Sequence, residues 1–394
     1  MYNNGLHKNN NNIRILHVFH SLGFGGAEKW LVHMLRHVDQ QKYQIDIMIH
    51  EEREGYAEEI KTLGAKIIVC PYSINPWIYG KNFKSILRQH GPYDIVQSHL
   101  ATAGFHALWA HQQGVPIRLV QKHTDEKLEL RQSNSVKNIG VKVSNLLVSG
   151  YATAGVAVSR SAAQRFGRQW ERDPRWQILY LGIDLAEFTK EIDRERLRQE
   201  LGIPRDSLVV GHVGRFTQEK NHGFLLDIFA KTVGLKPCTV LLLVGDGPLR
   251  REIEIKAARL GIAEKVLFTG LRKDVPILMK GAMDVFLLPS LYEGLPLVLM
   301  ETQAAGLNSI ISNKITEEAD IVKPLIKRLF LTDFPDVWAH NIIRTANEKR
   351  EISQGQALRI MEQSPFNIET SCNKLFELYD KLNQSIFSGF CSNK

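Results

Sequence analysis

Residues 208–233, LVVGHVGRFTQEKNHGFLLDIFAKTV, read as a buried strand, a polar glycine turn and an amphipathic helix. The apolar run breaks at Gly214, and Leu225, Leu226 and Phe229 then recur at helical spacing. The same succession opens the chain. IRILHVF at 13–19 leads into the turn SLGFGGAE, then into a helical pattern with Trp30, Leu31, Met34, Leu35 and Val38. Short apolar runs follow at 45–49, 65–70, 94–97, 117–121 and 154–158, with helical stretches between most of them. After 208 come TVLLLVGDGPLRREI, KVLFTG, DVFLLPS and NSIIS, each a buried strand ending at a Gly, Pro or Ser turn. Strands alternating with helices give an α/β fold with doubly wound parallel sheets, and the restart near the midpoint gives two such domains. The expected boundaries are a disordered polar lead-in at 1–12, a first domain at 13–185, a second at 186–367, and a closing helix and tail at 368–394. Helices are expected at 336–350 and 368–383.

The 394 residues suit two domains of ordinary size. With 44% hydrophobic and 23% charged residues, disorder and fibrous structure are excluded. Four scattered cysteines (Cys70, Cys238, Cys372, Cys391) make neither a disulfide framework nor a cysteine zinc site, which fits a reducing cytosol. No apolar run reaches the length of a membrane span or a signal peptide. The net charge of +8 is unevenly spread: residues 1–185 hold 22 basic and 15 acidic side chains, and 118–175 alone hold 11 and 5. Such a stretch attracts anionic lipid or phosphate, or is simply a solvated helix face.

Ligands of open α/β sheets bind beyond the carboxyl ends of the strands, so the loops there are the candidate site. Gly23, Gly25 and Gly26 open a helix and let backbone N–H groups approach a phosphate; a plain tight turn accounts for them equally well. Arg215 and Lys220, with Asn221, flank the turn before the second domain's first helix, and a planar fork plus a point charge suits a diphosphate. Glu293 follows the strand DVFLLP, Pro296 suits a first helical turn, and Glu301 falls in the helix beyond. Eight residues at about 1.5 Å of helical rise span about 12 Å, the reach from a hexose to a ribose across a diphosphate. Among fourteen histidines no H-E-x-x-H occurs; His99, His106 and His111 are expected to pack in a helix. His123 ends a strand and is the favoured polar contact to substrate. Gly245–Pro248 and the turn Phe268–Gly270 also end strands, and serve either as a base pocket or as turns alone.

Taken in order, GGAE at 25–28, KHTDE at 122–126, VSRSAAQRF at 158–166, GID at 182–184 with Phe188, GRFTQEKNH at 214–222, VGDGP at 244–248, FTGLRKDV at 268–275 and PSLYEGLPLVLMETQAAG at 289–306 resemble the retaining glycosyltransferases of family 4 over about 13–385. The similarity is to transferases of exopolysaccharide and capsule assembly. It implies the GT-B fold, two Rossmann-like domains facing across a cleft, with the last helix crossing back to the first domain. It also implies a hexose moved with retention from a nucleotide-sugar, most often UDP-linked, to a lipid-linked or glycan acceptor. Arg215 and Lys220 would hold the diphosphate, Glu293 the sugar hydroxyls, Glu301 the ribose and His123 the transferred sugar. Gly25, Gly26, Gly214, Asn221, Gly245, Gly270, Leu271, Gly294, Leu295, Pro296 and Leu297 would complete the donor site, with the backbone at Leu271 against the base. No cofactor and no metal are expected, the nucleotide-sugar being a substrate. The mechanism implied is front-face, a donor phosphate oxygen helping to deprotonate the acceptor. Leu181, Asn308 and Asn313 depart from the family pattern without touching these contacts.

A nucleotide-sugar epimerase of the same fold, told apart by turnover without acceptor, and a catalytically silent sugar-nucleotide-binding subunit are the alternatives. An incomplete G-x-G-x-x-G disfavours a dehydrogenase. The expected location is cytoplasmic, with the basic stretch 118–175 docking at the inner face of the membrane against a polyprenyl-diphosphate-linked acceptor. No nucleic-acid recognition motif accompanies it.

Overall fold

A computed structural model describes residues 12–123, 135–167 and 169–391, with only the backbone course for 135–138 and 386–391. Apart from Asn12, the lead-in expected at 1–12 lies outside the described residues, as do Thr124, Asp125 and Glu126 of KHTDE and part of the basic stretch. The chain divides into two compact units, Met1–Tyr180 with Cys372–Lys394, and Leu181–Ser371.

Unit 1 is built on β1 (Ile13–Val18), β2 (Tyr43–Ile49), β3 (Lys66–Val69), β4 (Ile95–Ser98), β5 (Ile117–Lys122), β6 (Ala154–Ala157) and β7 (Trp176–Ile178). The sheet runs in the order β3-β2-β1-β4-β5-β6-β7 and every pairing is parallel. Helices cover both faces, so the strands are buried almost throughout, as β4 to β6 show, and rich in apolar residues. The exceptions matter below: His17 on β1 stands in register with Gln97 on β4, and both are buried. The long helix Ile368–Cys391 packs on this unit from Cys372 onward. There Asp380 accepts from Tyr43 Oη at 2.7 Å and pairs with Lys42 at 2.5 Å.

Unit 2 carries β8 (Leu208–Val213), β9 (Thr239–Val244), β10 (Val266–Gly270), β11 (Val285–Leu288), β12 (Ser309–Ser312) and β13 (Ile326–Leu329). Its order is β10-β9-β8-β11-β12-β13, again parallel throughout. Leu225 and Phe229 of the helix His222–Leu235 join Leu241 and Leu243 of β9 and Trp338 and Ile342 of the helix Pro335–Asn347 in one core. Trp338 is fully buried and its indole N–H donates to Phe330 O at 3.2 Å, so Trp338→Ala would cost about 3–5 kcal/mol.

Both sheets reverse their strand order between the first strand and its neighbour, at β1/β4 and β8/β11. In open α/β sheets such a reversal is where ligands bind, beyond the carboxyl ends of the two strands. β7 and β13 lie outside the apolar runs of the sequence, because WQI and IKRL are short and mixed in polarity. The helix Gln354–Glu362, started by a Ser353/Gln356 capping box, is likewise additional.

Candidate active site

In unit 2 the loops leaving β8 and β11 are tied together by hydrogen bonds. Beyond β8 the chain runs through Gly214 and the exposed Arg215 into a short 3-10 turn, Gln218–Lys220. Asn221 then takes a left-handed conformation (φ 56°, ψ 43°) to start the helix at His222, and its Nδ2 donates to Pro289 O at 3.1 Å. Asparagine tolerates that backbone better than most residues, which explains why it stands here. Leu291 N donates to Glu219 O at 2.8 Å, a second tie between the loops. These ties set Lys220 Nζ 2.6 Å from Glu293 Oε1, which also accepts from Ser290 Oγ at 2.8 Å. Both side chains of the pair are largely buried, 14% and 10% exposed, so the carboxylate and the ammonium are fixed partners. The family resemblance expects Lys220 at phosphate and Glu293 at sugar; the structure makes the two side chains one ion pair.

The neighbouring turns are packed backbone against backbone. Gly245 has φ 131° and donates to Gly270 O at 2.8 Å, and a Cβ there would come within 2.1 Å of Gly214 O. Glycine at 245 is what allows the 214, 245 and 270 turns this approach. Leu271 follows, 48% exposed. Gly294 and Leu295 continue the β11 loop, and Pro296 is the residue before the helix Leu297–Ala304 rather than within its first turn. Glu301 is buried within that helix. Helical rise therefore applies to only half of the eight-residue spacing from Glu293, and the 12 Å figure does not carry over.

In unit 1, Gly25 and Gly26 are exposed at the N-terminus of the helix Gly26–His37, with Gly25 as its N-cap. His123 lies just past β5. Its imidazole is lowered to about 4 by burial and by the nearby Arg165, so it is neutral at pH 7. Phe19, Glu28, His99, Gln121, Lys122, His123 and Arg165 are among the residues lining a cavity of about 280 Å³. Burial lowers Lys122 to about 7, helped by Arg165, and its Nζ donates to Asn145 Oδ1 at 3.2 Å.

The histidines correct one expectation. His106 and His111 do sit in the helix Ala103–Gln112, but His99 precedes it, at the end of β4. There its Nε2 faces His17 Nδ1 at 2.9 Å and its Nδ1 faces His123 Nε2 at 3.0 Å. His17, Gln97, Gln121, Lys122 and Tyr379 were absent from the sequence candidates. For His17, Gln97, Gln121 and Lys122 the available signal is a polar residue inside a buried strand; Tyr379, on a helix, carries no such signal.

Among the described residues, no group of three or more His, Cys, Asp or Glu side chains could hold a metal ion. No described helix is long and apolar enough to cross a membrane.

Comparison with known proteins follows the two units. Residues 24–187 match the family model "Glycosyltransferase Family 4" and residues 193–355 match "Glycosyl transferases group 1". The putative glycosyltransferase EpsF of Bacillus subtilis is 35% identical over 94% of this chain and 97% of its own length. The UDP-Gal:alpha-D-GlcNAc-diphosphoundecaprenol alpha-1,3-galactosyltransferase of Escherichia coli is 28% identical over 73% of this chain and 75% of its own. Among solved structures, Anabaena HepE in complex with UDP-glucose superposes with a TM-score of 0.80 at 20% identity, over 94% of this chain and all of that one. That likeness identifies the fold of the two sheets as GT-B.

Proposed function

The chain belongs to the glycosyltransferases of family 4, and from that premise we propose that it moves a hexose from a UDP-sugar to a lipid-linked or glycan acceptor, with retention, in surface polysaccharide synthesis. The observation that carries the donor assignment is the fixed Lys220–Glu293 pair at the strand-order reversal of unit 2, with Arg215 exposed beside it. The names of the relatives above supply the UDP-sugar and the diphospholipid acceptor as the chemistry to test.

In this reading Arg215 forks onto the diphosphate while Lys220 binds it with the N–H groups that do not face Glu293. The N-terminus of the helix His222–Leu235 adds its dipole. As the bond from the anomeric carbon to the diphosphate breaks, the charge growing on the leaving oxygen falls among groups already in place. The acceptor oxygen bonds the same face of the anomeric carbon, and its proton passes to the departing phosphate oxygen. Glu293 holds sugar hydroxyls through the oxygen not engaged by Lys220 and Ser290, and Glu301 serves the ribose. Gly245, Gly270 and the backbone at Leu271 border the base, and His123 contacts the substrate sugar. The two cations balance the diphosphate without a metal.

Docking of the cytoplasmic enzyme at an anionic membrane face is part of this reading, although four of the described cations of 118–175 are already engaged or buried. Arg118 bonds Val115 O and Pro116 O, Arg175 pairs with Asp173 at 2.7 Å, Arg160 pairs with Glu171 at 3.1 Å, and Lys122 is buried. A better anchor lies on the same unit, where Ile74 and Trp77 are each 86% exposed and Ile78 52%, with Lys81 one helical turn further along Pro76–His90. Apolar tips beside cations fit an anionic bilayer surface. Flotation with anionic vesicles should lose the Trp77→Ser protein; equal partitioning of native and variant would remove this anchor.

The enzymatic test uses Lys220→Ala and Glu293→Ala. Each should abolish sugar transfer while the circular dichroism spectrum is retained. Full activity in either would overturn the assignment.

A further inference from the structure

Six side chains of unit 1 form one hydrogen-bonded circuit whose two ends line the same cavity. Its middle is Tyr379, fully buried on the helix Ile368–Cys391, whose hydroxyl donates to Gln97 Oε1 and lies 3.3 Å from His17 Nε2. One arm runs His17 Nδ1 to His99 Nε2 (2.9 Å), then His99 Nδ1 to His123 Nε2 (3.0 Å). Phe19 holds the middle ring from one side, stacked 4.0 Å from His99 with 20° between planes. The other arm runs from Gln97 Nε2 to Gln121 Oε1 at 2.6 Å. It stops there, because Gln121 Nε2 has no hydrogen-bond partner among the described residues although Gln121 is 1% exposed. Gln121 and His123 both line the 280 Å³ cavity.

The direction of every bond in this circuit is coupled. A neutral imidazole carries one N–H and one lone pair, so rings facing each other nitrogen to nitrogen must all adopt the same tautomer. Neutrality follows from burial, which lowers His17 to about 3 and His99 well below its usual value, neighbouring histidines adding to the effect at His99. With Tyr379 donating to Gln97, its oxygen accepts from His17 Nε2–H, His17 Nδ1 accepts from His99, and His99 Nδ1 accepts from His123. His123 Nδ1 is then a bare acceptor and Gln121 Nε2 a bare donor. Reversing the circuit, with both amides turned, makes His123 Nδ1–H the donor and Gln121 Oε1 the acceptor. In both directions one end donates and the other accepts.

We propose that Tyr379, Gln97, His17 and His99 are positioning residues that lock His123 and Gln121 into a complementary donor–acceptor pair, which selects an uncharged ligand hydroxyl or vicinal diol. A phosphate or carboxylate only accepts, and so satisfies one end and leaves the other unpaired. That the ligand is a sugar rests on the transferase reading; the tautomer lock does not.

The test is a two-bond ¹H–¹⁵N correlation spectrum of the full-length protein, ¹⁵N-labelled at histidine, at pH 7, with rings assigned from single His→Gln variants. The native spectrum should show His17, His99 and His123 neutral and in one common tautomer. Tyr379→Phe removes the hydroxyl that joins the arms, so the rings should become a mixture of tautomers. Its kcat/KM should fall about tenfold with the parent donor sugar, and by much less with the deoxy-sugar lacking the read hydroxyl. Imidazolium signals or mixed tautomers in the native protein would overturn the lock, a measurement that needs no variant to fold. Locked tautomers in a protein that transfers no sugar would uphold the lock and overturn the transferase reading.

Discussion

Replacing Glu293 by Gln should move the affinities for UDP and for UDP-hexose in opposite directions. Glu293 Oε1 lies 2.6 Å from Lys220 Nζ, and the pair is only 10–14% exposed, so part of the lysine's charge is already answered in the free protein. A phosphate oxygen on the other side of Nζ would stand about 5 Å from the carboxylate. At an effective dielectric near 20 two such charges repel by about 3 kcal/mol, and the open phosphate side reduces this to about 1 kcal/mol. Removing the charge should therefore tighten UDP about fivefold. UDP-hexose gains the same amount but loses a charge-assisted hydroxyl contact, about 1.5–3 kcal/mol, so it should bind about 2- to 30-fold more weakly. Titration calorimetry of both ligands into native and Glu293→Gln protein measures the four affinities. Weaker UDP binding in the variant, or equal factors for both ligands, would refute the placing of phosphate at Lys220 and sugar at Glu293.

Lys220→Met leaves a carboxylate paired only to Ser290 and should cost about 2–3 kcal/mol in urea unfolding; adding Glu293→Gln should recover more than half of it, whereas additive losses would show no coupling. Acid should destabilise unit 1 strongly. His17 and His106 are lowered by burial to about 3 and His50 to about 4, so below pH 6.5 the unfolded chain binds protons that the fold refuses. Stability then falls with falling pH by about 1.4 kcal/mol per unit for each such histidine, until the folded values are reached. Lys122, lowered to about 7 by burial with Arg165 adding, gives the same sign between pH 10.5 and 7. A melting temperature unchanged from pH 8 to 5 would contradict these burials. Transfer should survive dialysis against EDTA with its rate unchanged; a loss restored by added magnesium or manganese would show that Arg215 and Lys220 do not balance the diphosphate alone.

The parts legible in the sequence are those carried by local pattern. The two strand–turn–helix openings at 13–38 and 208–233 are each continuous in sequence, and so the paired parallel sheets were readable. Arg215, Lys220 and Glu293 were readable as loop residues because each lies between an apolar run and the helical pattern that follows it. Their pairing was not, since it depends on β8 lying beside β11, where Val210 pairs with Val285 and Gly211 with Phe286, a neighbour relation that no local pattern encodes. The histidine circuit was least visible: Tyr379 and His17 are separated by 362 residues and meet only because the last helix packs on unit 1. HLATAGFHALWAH is apolar at helical spacing, which on sequence alone puts His99 in the helix; the helix begins only at Ala103, which frees His99 for the strand end.

The most direct test of the central claim, that the loops after β8 hold the donor diphosphate, is one UDP isotherm measured on the native protein and on the Arg215→Ala/Lys220→Ala double variant. Loss of two charge-assisted contacts should weaken UDP by at least about 100-fold, at 1.5–3 kcal/mol each. Equal affinity in the two proteins would place the diphosphate elsewhere and contradict the account.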